Sequence, residues 1–232
     1  MTGEPVEVLR KLWFHNAHSS PRINMTAVQL QSLTRDPTWF KAVFYRDPVD
    51  RYVSAYLSKC LAMKWKRRHC KYSFGSTNVS FEESIGILSR LPAHGNAHWL
   101  QQYQFCGDLR PQLSRFNFIQ EMESESINEK IRSMFAQAKL PIYANTSRSI
   151  DRYFPQPAAR TRMKSGDITD SASRAQHYFA GRSDLLAAVI DHYMEDYLLF
   201  NITLAPWQEM LLRSQGSRHN NLLSKLSPYL KI

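Results

Sequence analysis

The sequence predicts an α/β layered fold, and three observations carry that expectation. Two short apolar runs, "WFKAVFYR" and "FNFIQEM", read as strands. Each leads within a few residues into a segment whose apolar positions recur at helical spacing. No internal repeat interrupts this alternation, which is the pattern of a sheet flanked by helices. The chain has 232 residues, 43% hydrophobic and 12% aromatic, enough for one packed domain. Residues 1–205 are assigned to that domain and residues 206–232 to a C-terminal tail.

The elements follow in order. Residues 6–18 are expected to be helical, since Val6, Leu9, Leu12 and Trp13 recur at helical spacing. Pro21 closes that segment, "MTAVQLQSL" reads as a second short helix, and Asp36-Pro37 punctuates the chain. "WFKAVFYR" is apolar at nearly every position, as a buried parallel strand is. Asp47 is a good N-cap and Pro48 suits the first helical position, so a helix opens there. Val49, Tyr52, Val53 and Tyr56 give that helix an apolar stripe expected to pack on the sheet. Cys60 to Ser80 is basic and irregular. "SFEESIGIL" is a helix opened by a capping box, with Ser80 as cap and Glu83 three residues on.

"GNAHWLQQYQFCG" shows no clear period. "FNFIQEM" is the second strand and its exit, and "ESINEKIRSMFAQAKL" is an amphipathic helix. Residues 144–175, with Pro155, Pro157 and many Ser, Arg and Thr, read as an exposed loop. "RSDLLAAVIDHYMEDYLLF" reads as one long helix. After Pro206 the chain is polar at first and is expected to form a loosely attached helix.

The formal net charge of +10 favours polyanionic partners: nucleic acid, phospholipid, a nucleotide or an acidic glycan. No apolar run of membrane-spanning length occurs, and "MTGEPVEVLRKLW" lacks the apolar core of a signal peptide. Two features point instead to an oxidising compartment. The sequons at Asn24, Asn78, Asn145 and Asn201 are potential N-glycosylation sites. Cys60 and Cys70 flank a basic loop that a disulfide could close, although three ordinary thiols with Cys106 fit the sequence equally.

The chemistry concentrates where the first strand meets its helix. In open α/β sheets ligands bind outside the carboxyl ends of the strands. A helix N-terminus offers unpaired N–H groups and a positive dipole end, both suited to phosphate. Arg46 adds a planar, permanently charged fork. Arg51, Ser54 and Ser58 share a helix face opposite the apolar stripe. The alternative is an ordinary Arg46–Asp50 ion pair beside a surface serine.

"YRDPVDRYVSAYLSK" resembles the 3′-phosphate-binding segment of sulfotransferases that use 3′-phosphoadenosine 5′-phosphosulfate. The likeness is to the Golgi carbohydrate sulfotransferases of the chondroitin and HNK-1 type, whose segment reads R-D-P-x-x-R-x-x-S-A-Y. Further segments follow in the family's order. "VSFEESIGIL" is similar to T-F-x-E-F, and "HWLQQYQFC" to H-W-x-P-Q-x-x-L-C with Gln101 in place of the proline. "FNFIQEME" is similar to Y-D-F-I-G-K-F-E, and "YMEDYLLFN" to Y-x-x-D-Y-x-L-F-G-Y. The resemblance spans about residues 40–203.

It implies a P-loop-kinase-like sulfotransferase fold, a parallel sheet flanked by helices. It implies transfer of a sulfuryl group from the nucleotide donor to a carbohydrate hydroxyl on an anionic or neutral glycan, with no metal. Arg46 and Ser54 then hold the donor's 3′-phosphate, and Arg51, the motif's second arginine, supports them. The expected location is the Golgi lumen, membrane-anchored in the full-length form. The family's 5′-phosphosulfate loop, P-K-x-G-[CST]-x-x-W, has no match. A chain lacking that loop and its strand is expected to be inactive and poorly soluble, with two neighbouring strands left unpaired. The rival reading is a non-catalytic polyanion binder, either a degenerate sulfotransferase or an RNA binder.

His98 lies in the matched H-W segment, and a histidine suits a base that takes a sugar hydroxyl proton. The plainer reading is a packed His beside Trp99. Glu121 and Glu123 are the other candidates for that role. His94 stands four residues before His98, but no third ligand follows at usable spacing, so no metal is expected. "KWKRRHCK", Lys64 to Lys71, is either a solvated loop or an acceptor groove. A basic, aromatic-interleaved stretch also suits RNA, but no nucleic-acid fold signature accompanies it, and no nucleic acid is expected. Arg148, Arg152, Arg160, Arg162 and Lys164 form a second basic stretch. The oligomeric state is not legible.

Overall fold

The computed structural model describes Ser32 and residues 35–61, 68–91, 96–122, 126–140 and 171–227. The helix expected at 6–18, that in "MTAVQLQSL" apart from Ser32, His94, Glu123 and the basic stretch 148–164 lie outside these residues. Two compact units are distinguished: Met1–Val43 with Tyr103–Ile119, and Phe44–Gln102 with Gln120–Ile232.

Strand β1, Ala42–Tyr45, pairs with β2, Phe118–Glu121. The Lys41 carbonyl accepts from Asn117 and Phe118, and the Tyr45 carbonyl accepts from Met122, so the strands run parallel. β1 is less buried than expected: Ala42 is exposed and its other residues are half-buried. The reason is that the described sheet has two strands only.

In the first unit Asp36 accepts from the Thr38 N–H and hydroxyl, and the Lys41 ammonium donates to the Asp36 and Trp39 carbonyls. A cavity of about 380 Å³ is lined by Arg35, Pro37, Lys41, Arg115 and Asn117. None of Arg46, Arg51, Ser54 and His98 lines it.

The second unit holds the core. Helix α1 spans Pro48–Tyr56, and the Asp47 carboxyl caps it by accepting from the Asp50 N–H. Its stripe is buried as the spacing predicts, but it meets helices rather than the sheet. Tyr52 and Tyr56 pack on Phe81 of α3, Phe81–Leu88, and Tyr56 also on Tyr178 of α5, Ser171–Tyr178. Ser80 and Glu83 form the expected capping box of α3.

Helix α1 runs into a π-turn, Leu57–Leu61, whose Cys60 is bonded to Cys70 of α2, Arg68–Phe74. The stretch expected to be irregular thus contains a cross-linked helix. Helix α4, Ile127–Gln137, lays Ile127 and Ile131 against Phe44. The loop expected at 144–175 ends early, because α5 begins at Ser171.

The long helix expected over 182–200 is two helices, α6, Ser183–His192, and α7, Met194–Phe200. The break falls at Tyr193, where a distant side chain meets the helix. The Gln101 side-chain amide donates to the His192 carbonyl, and a side chain inserted into the helical ladder produces such a break. Asn201 ends α7 in the left-handed conformation, φ 54°, which Asn tolerates better than most residues.

The segment after Pro206 is not loosely attached. It forms α8, Pro206–Arg213, and α9, Asn220–Leu226, and buries Leu212, Leu222, Leu223 and Leu226. No described helix is long and apolar enough to cross a membrane. Asn78 and Asn201 are exposed, while Asn24 and Asn145 lie outside the described residues.

Candidate functional site

Arg46 follows β1 directly, and its backbone turns at Asp47 into α1. Its Nη2 lies 3.4 Å from the Ser54 hydroxyl, a long contact. Both side chains are half-buried, so a guanidinium and a hydroxyl converge at the strand-to-helix corner.

The helix N-terminus differs from expectation. Pro48 has no N–H, and the N–H groups of Val49 and Asp50 both turn to the Asp47 carboxyl. These donors serve the carboxyl of Asp47 itself. Burial raises the Asp47 pKa above the usual carboxylate range, opposed by bonds from Asp50, Gln208, Val49 and Tyr197. The Tyr197 hydroxyl is 3.3 Å from Asp47 Oδ2, and the Gln208 amide 3.5 Å.

Arg51 is directed elsewhere than Ser54. Its Nη1 donates to the Leu100 carbonyl and its Nη2 to the Ala97 carbonyl, each at 2.6 Å. Burial lowers its pKa, opposed by Tyr193 and Asp196, yet a guanidinium stays charged in any protein. Arg51 therefore pins the turn that carries His98.

His98 is half-buried. Its main-chain N–H donates to Asn96 Oδ1 at 3.1 Å, and the Asn96 amide faces His69 Nδ1 at 3.3 Å. The His98 and His69 rings meet edge to face with centroids 5.3 Å apart. Burial pushes the His98 pKa down to about 4, reinforced by Lys59, His69 and Arg51. The ring is thus neutral at physiological pH, the form that accepts a proton. Among the described residues, no three His, Cys, Asp or Glu side chains are grouped to hold a metal ion.

Sequence reasoning missed the residues that tie these parts together. Gln102 bonds both main-chain groups of Arg46. Its own N–H donates to Asp196 Oδ2 at 2.8 Å. The Tyr193 hydroxyl donates to the Trp99 carbonyl at 2.8 Å. Tyr193, Asp196 and Tyr197 of "YMEDYLLFN" therefore each reach back to segment 99–102 or to Asp47. A signal for all four existed: Gln102 falls on the glutamine of H-W-x-P-Q, and the other three on the lettered positions of Y-x-x-D-Y.

The parallel strands and flanking helices define an α/β protein, with Arg46 and Ser54 at a strand-to-helix corner. The model of the sulfotransferase family matches residues 11–202, so the chain belongs to the sulfotransferase family. It is also similar to human carbohydrate sulfotransferase 9, with 27% identity over 191 residues, 73% of this chain and 39% of that protein. The chain thus spans about two fifths of the length of that relative. No solved structure matches it.

Proposed function

We propose that the chain is the carbohydrate O-sulfotransferase domain of a Golgi enzyme with a P-loop-kinase-like fold. It moves a sulfuryl group from 3′-phosphoadenosine 5′-phosphosulfate to a sugar hydroxyl. The observation that carries this reading is the convergence of Arg46 and Ser54 at the end of β1. A guanidinium beside a hydroxyl that can turn its proton outward fits a phosphate, the first supplying charge and the second another direction.

His98 takes the acceptor hydroxyl proton as the sugar oxygen bonds to sulfur and the bond from sulfur to the phosphate oxygen breaks. Arg51 supports the step indirectly by fixing the His98 turn. The acceptor is an anionic or neutral glycan, the net charge of +10 favouring an anionic one, and no metal takes part. The Cys60–Cys70 bond suits the lumen of the secretory pathway.

The test is calorimetric binding of adenosine 3′,5′-bisphosphate. Arg46→Ala should weaken binding by about 1.5–3 kcal/mol, the scale of a hydrogen bond to a charged group. Asp50→Asn should leave it within about 0.5 kcal/mol, the usual range for a neutral change. Unchanged affinity in Arg46→Ala sinks the phosphate reading, and equal losses in both variants favour the plain ion pair. Sulfate transfer to desulfated glycosaminoglycans then separates enzyme from polyanion binder. A protein that binds the nucleotide but transfers nothing to any acceptor is the non-catalytic relative.

A further inference from the structure

The Arg46 main chain is held in an unusual way. The last ladder bond of β1 is made at Tyr45, whose carbonyl accepts from Met122. One residue on, the partner is a side chain from 56 residues away. Gln102 Oε1 accepts from the Arg46 N–H at 2.9 Å, and Gln102 Nε2 donates to the Arg46 carbonyl at 2.9 Å.

These two groups belong to different peptide planes. The N–H lies in the plane before the Arg46 Cα, and the carbonyl in the plane after it. One amide that holds both fixes φ and ψ of Arg46 together, and with them the direction of its Cα–Cβ bond. The primary amide here does the work of a residue in a neighbouring strand, offering one acceptor and one donor side by side.

The clamp is itself anchored. Gln102 is 5% exposed and Asp196, which receives its N–H, is 0% exposed. Arg51 holds the Ala97 and Leu100 carbonyls just upstream. Only one amide orientation fits, because a flipped amide sets oxygen against oxygen and N–H against N–H.

We infer that Gln102 is a positioning residue that aims Arg46 at the donor's 3′-phosphate, with Asp196 setting Gln102 in place. This deepens the Arg46 reading and rests on it. Gln102 touches no substrate; it acts through the main chain of the residue that does. A guanidinium at the end of a flexible stem gains little from a correct position unless its Cα is held, and displacement of such a group by about 1 Å is costly.

The experiment compares affinity for adenosine 3′,5′-bisphosphate with affinity for adenosine 5′-phosphate, which lacks the 3′-phosphate. The ratio is measured for the wild type, Arg46→Ala, Gln102→Glu and Gln102→Met, with thermal melts of each. Gln102→Glu keeps the acceptor half of the clamp, and Gln102→Met removes both halves at similar size. Both Gln102 variants should lose discrimination by about tenfold or more, Gln102→Met the further of the two, on the scale of lost polar contacts to a charged ligand. A purely structural role would lower both affinities by one factor and leave the ratio alone, and that result overturns the proposal. Should Gln102→Met fail to fold, the ratio in Gln102→Glu decides alone. If Arg46→Ala collapses the ratio and neither Gln102 variant moves it, this inference fails and the Arg46 reading stands. If the wild type shows no preference for the 3′-phosphate, both fall together.

Discussion

The Tyr197 hydroxyl lies 3.3 Å from the Asp47 carboxylate across 150 residues of sequence. Tyr197 is fully buried, and Asp47 caps the helix that carries Ser54. Helix α7 is thereby tied to the corner. Asp47→Ala should cost about 1–2 kcal/mol for the lost cap. Stranding the Tyr197 and Gln208 donors should add about 1 kcal/mol more. Asp47→Asn keeps a cap and should cost much less.

The pH dependence separates the two roles of Asp47. Its folded pKa is raised above 3.8 by burial. The stability it contributes is therefore complete below that value and is lost as pH rises through the raised one. Asp47→Asn cannot ionise. Its melting temperature relative to the wild type should rise between pH 4 and neutrality, and a flat or falling difference would refute the assignment.

His98 has the opposite linkage. With its folded pKa down at about 4 and its ordinary value at 6.5, the unfolded chain takes up the proton first as pH falls. The wild type should lose stability below pH 6.5 relative to His98→Asn, by about 1 kcal/mol near pH 5 once screening at a half-exposed ring is discounted. In turnover, the acid limb of kcat/KM should lie nearer 4 than 6.5. His98→Asn should lower kcat by about 10²–10⁴, the range for a lost general base. A limb that stays in place in the variant would assign the base elsewhere.

The Cys60–Cys70 bond closes a separation of 10 residues. Loop entropy on that scale is worth about 2–3 kcal/mol, or about 4–12 °C in melting temperature for a chain of this size. Dithiothreitol should lower the melting point of the wild type and leave that of a Cys60→Ser/Cys70→Ser double variant unmoved. Since Cys70 adjoins His69, the His69 and His98 ring signals should shift on reduction. Rings that do not respond would show that the bond and the histidine pair are independent.

The segment after Pro206 offers a paired test of burial. Leu226 is 0% exposed and Met210 67% exposed. Leu226→Ala should cost about 2–5 kcal/mol, and Met210→Ala less than about 0.5 kcal/mol. Equal, small effects in urea melts would mean that α9 is indeed loosely held.

Much of the corner was legible because its determinants are local. A cap needs only Asp47, Pro48 and the N–H of Asp50, and a capping box needs only Ser80 and Glu83. The stripe of α1 repeats within two turns, so its burial is visible in the spacing, but the partner that buries it is not. Phe81 and Tyr178 lie on separate helices, and nothing in "PVDRYVSAY" distinguishes them from a sheet face.

Local pattern therefore determined that a strand ends at Arg46 and that a helix begins after Asp47, whereas the pairing of Arg46 with Ser54 was implied by the family resemblance. The first two outcomes depend on contacts within about two helical turns, which spacing encodes. The folded chain alone decided what surrounds them. Gln101 breaks a helix at Tyr193, Gln102 takes both peptide groups of Arg46, Arg51 serves the His98 turn, and Gln208 brings the C-terminal segment to Asp47. Each is a side chain joined to a distant polar group, often in the main chain. A carbonyl has the same form in every residue, so the sequence carries no mark of which one will be bound. Only when the elements pack and water is excluded must each buried donor find its acceptor, and that demand selects the partner.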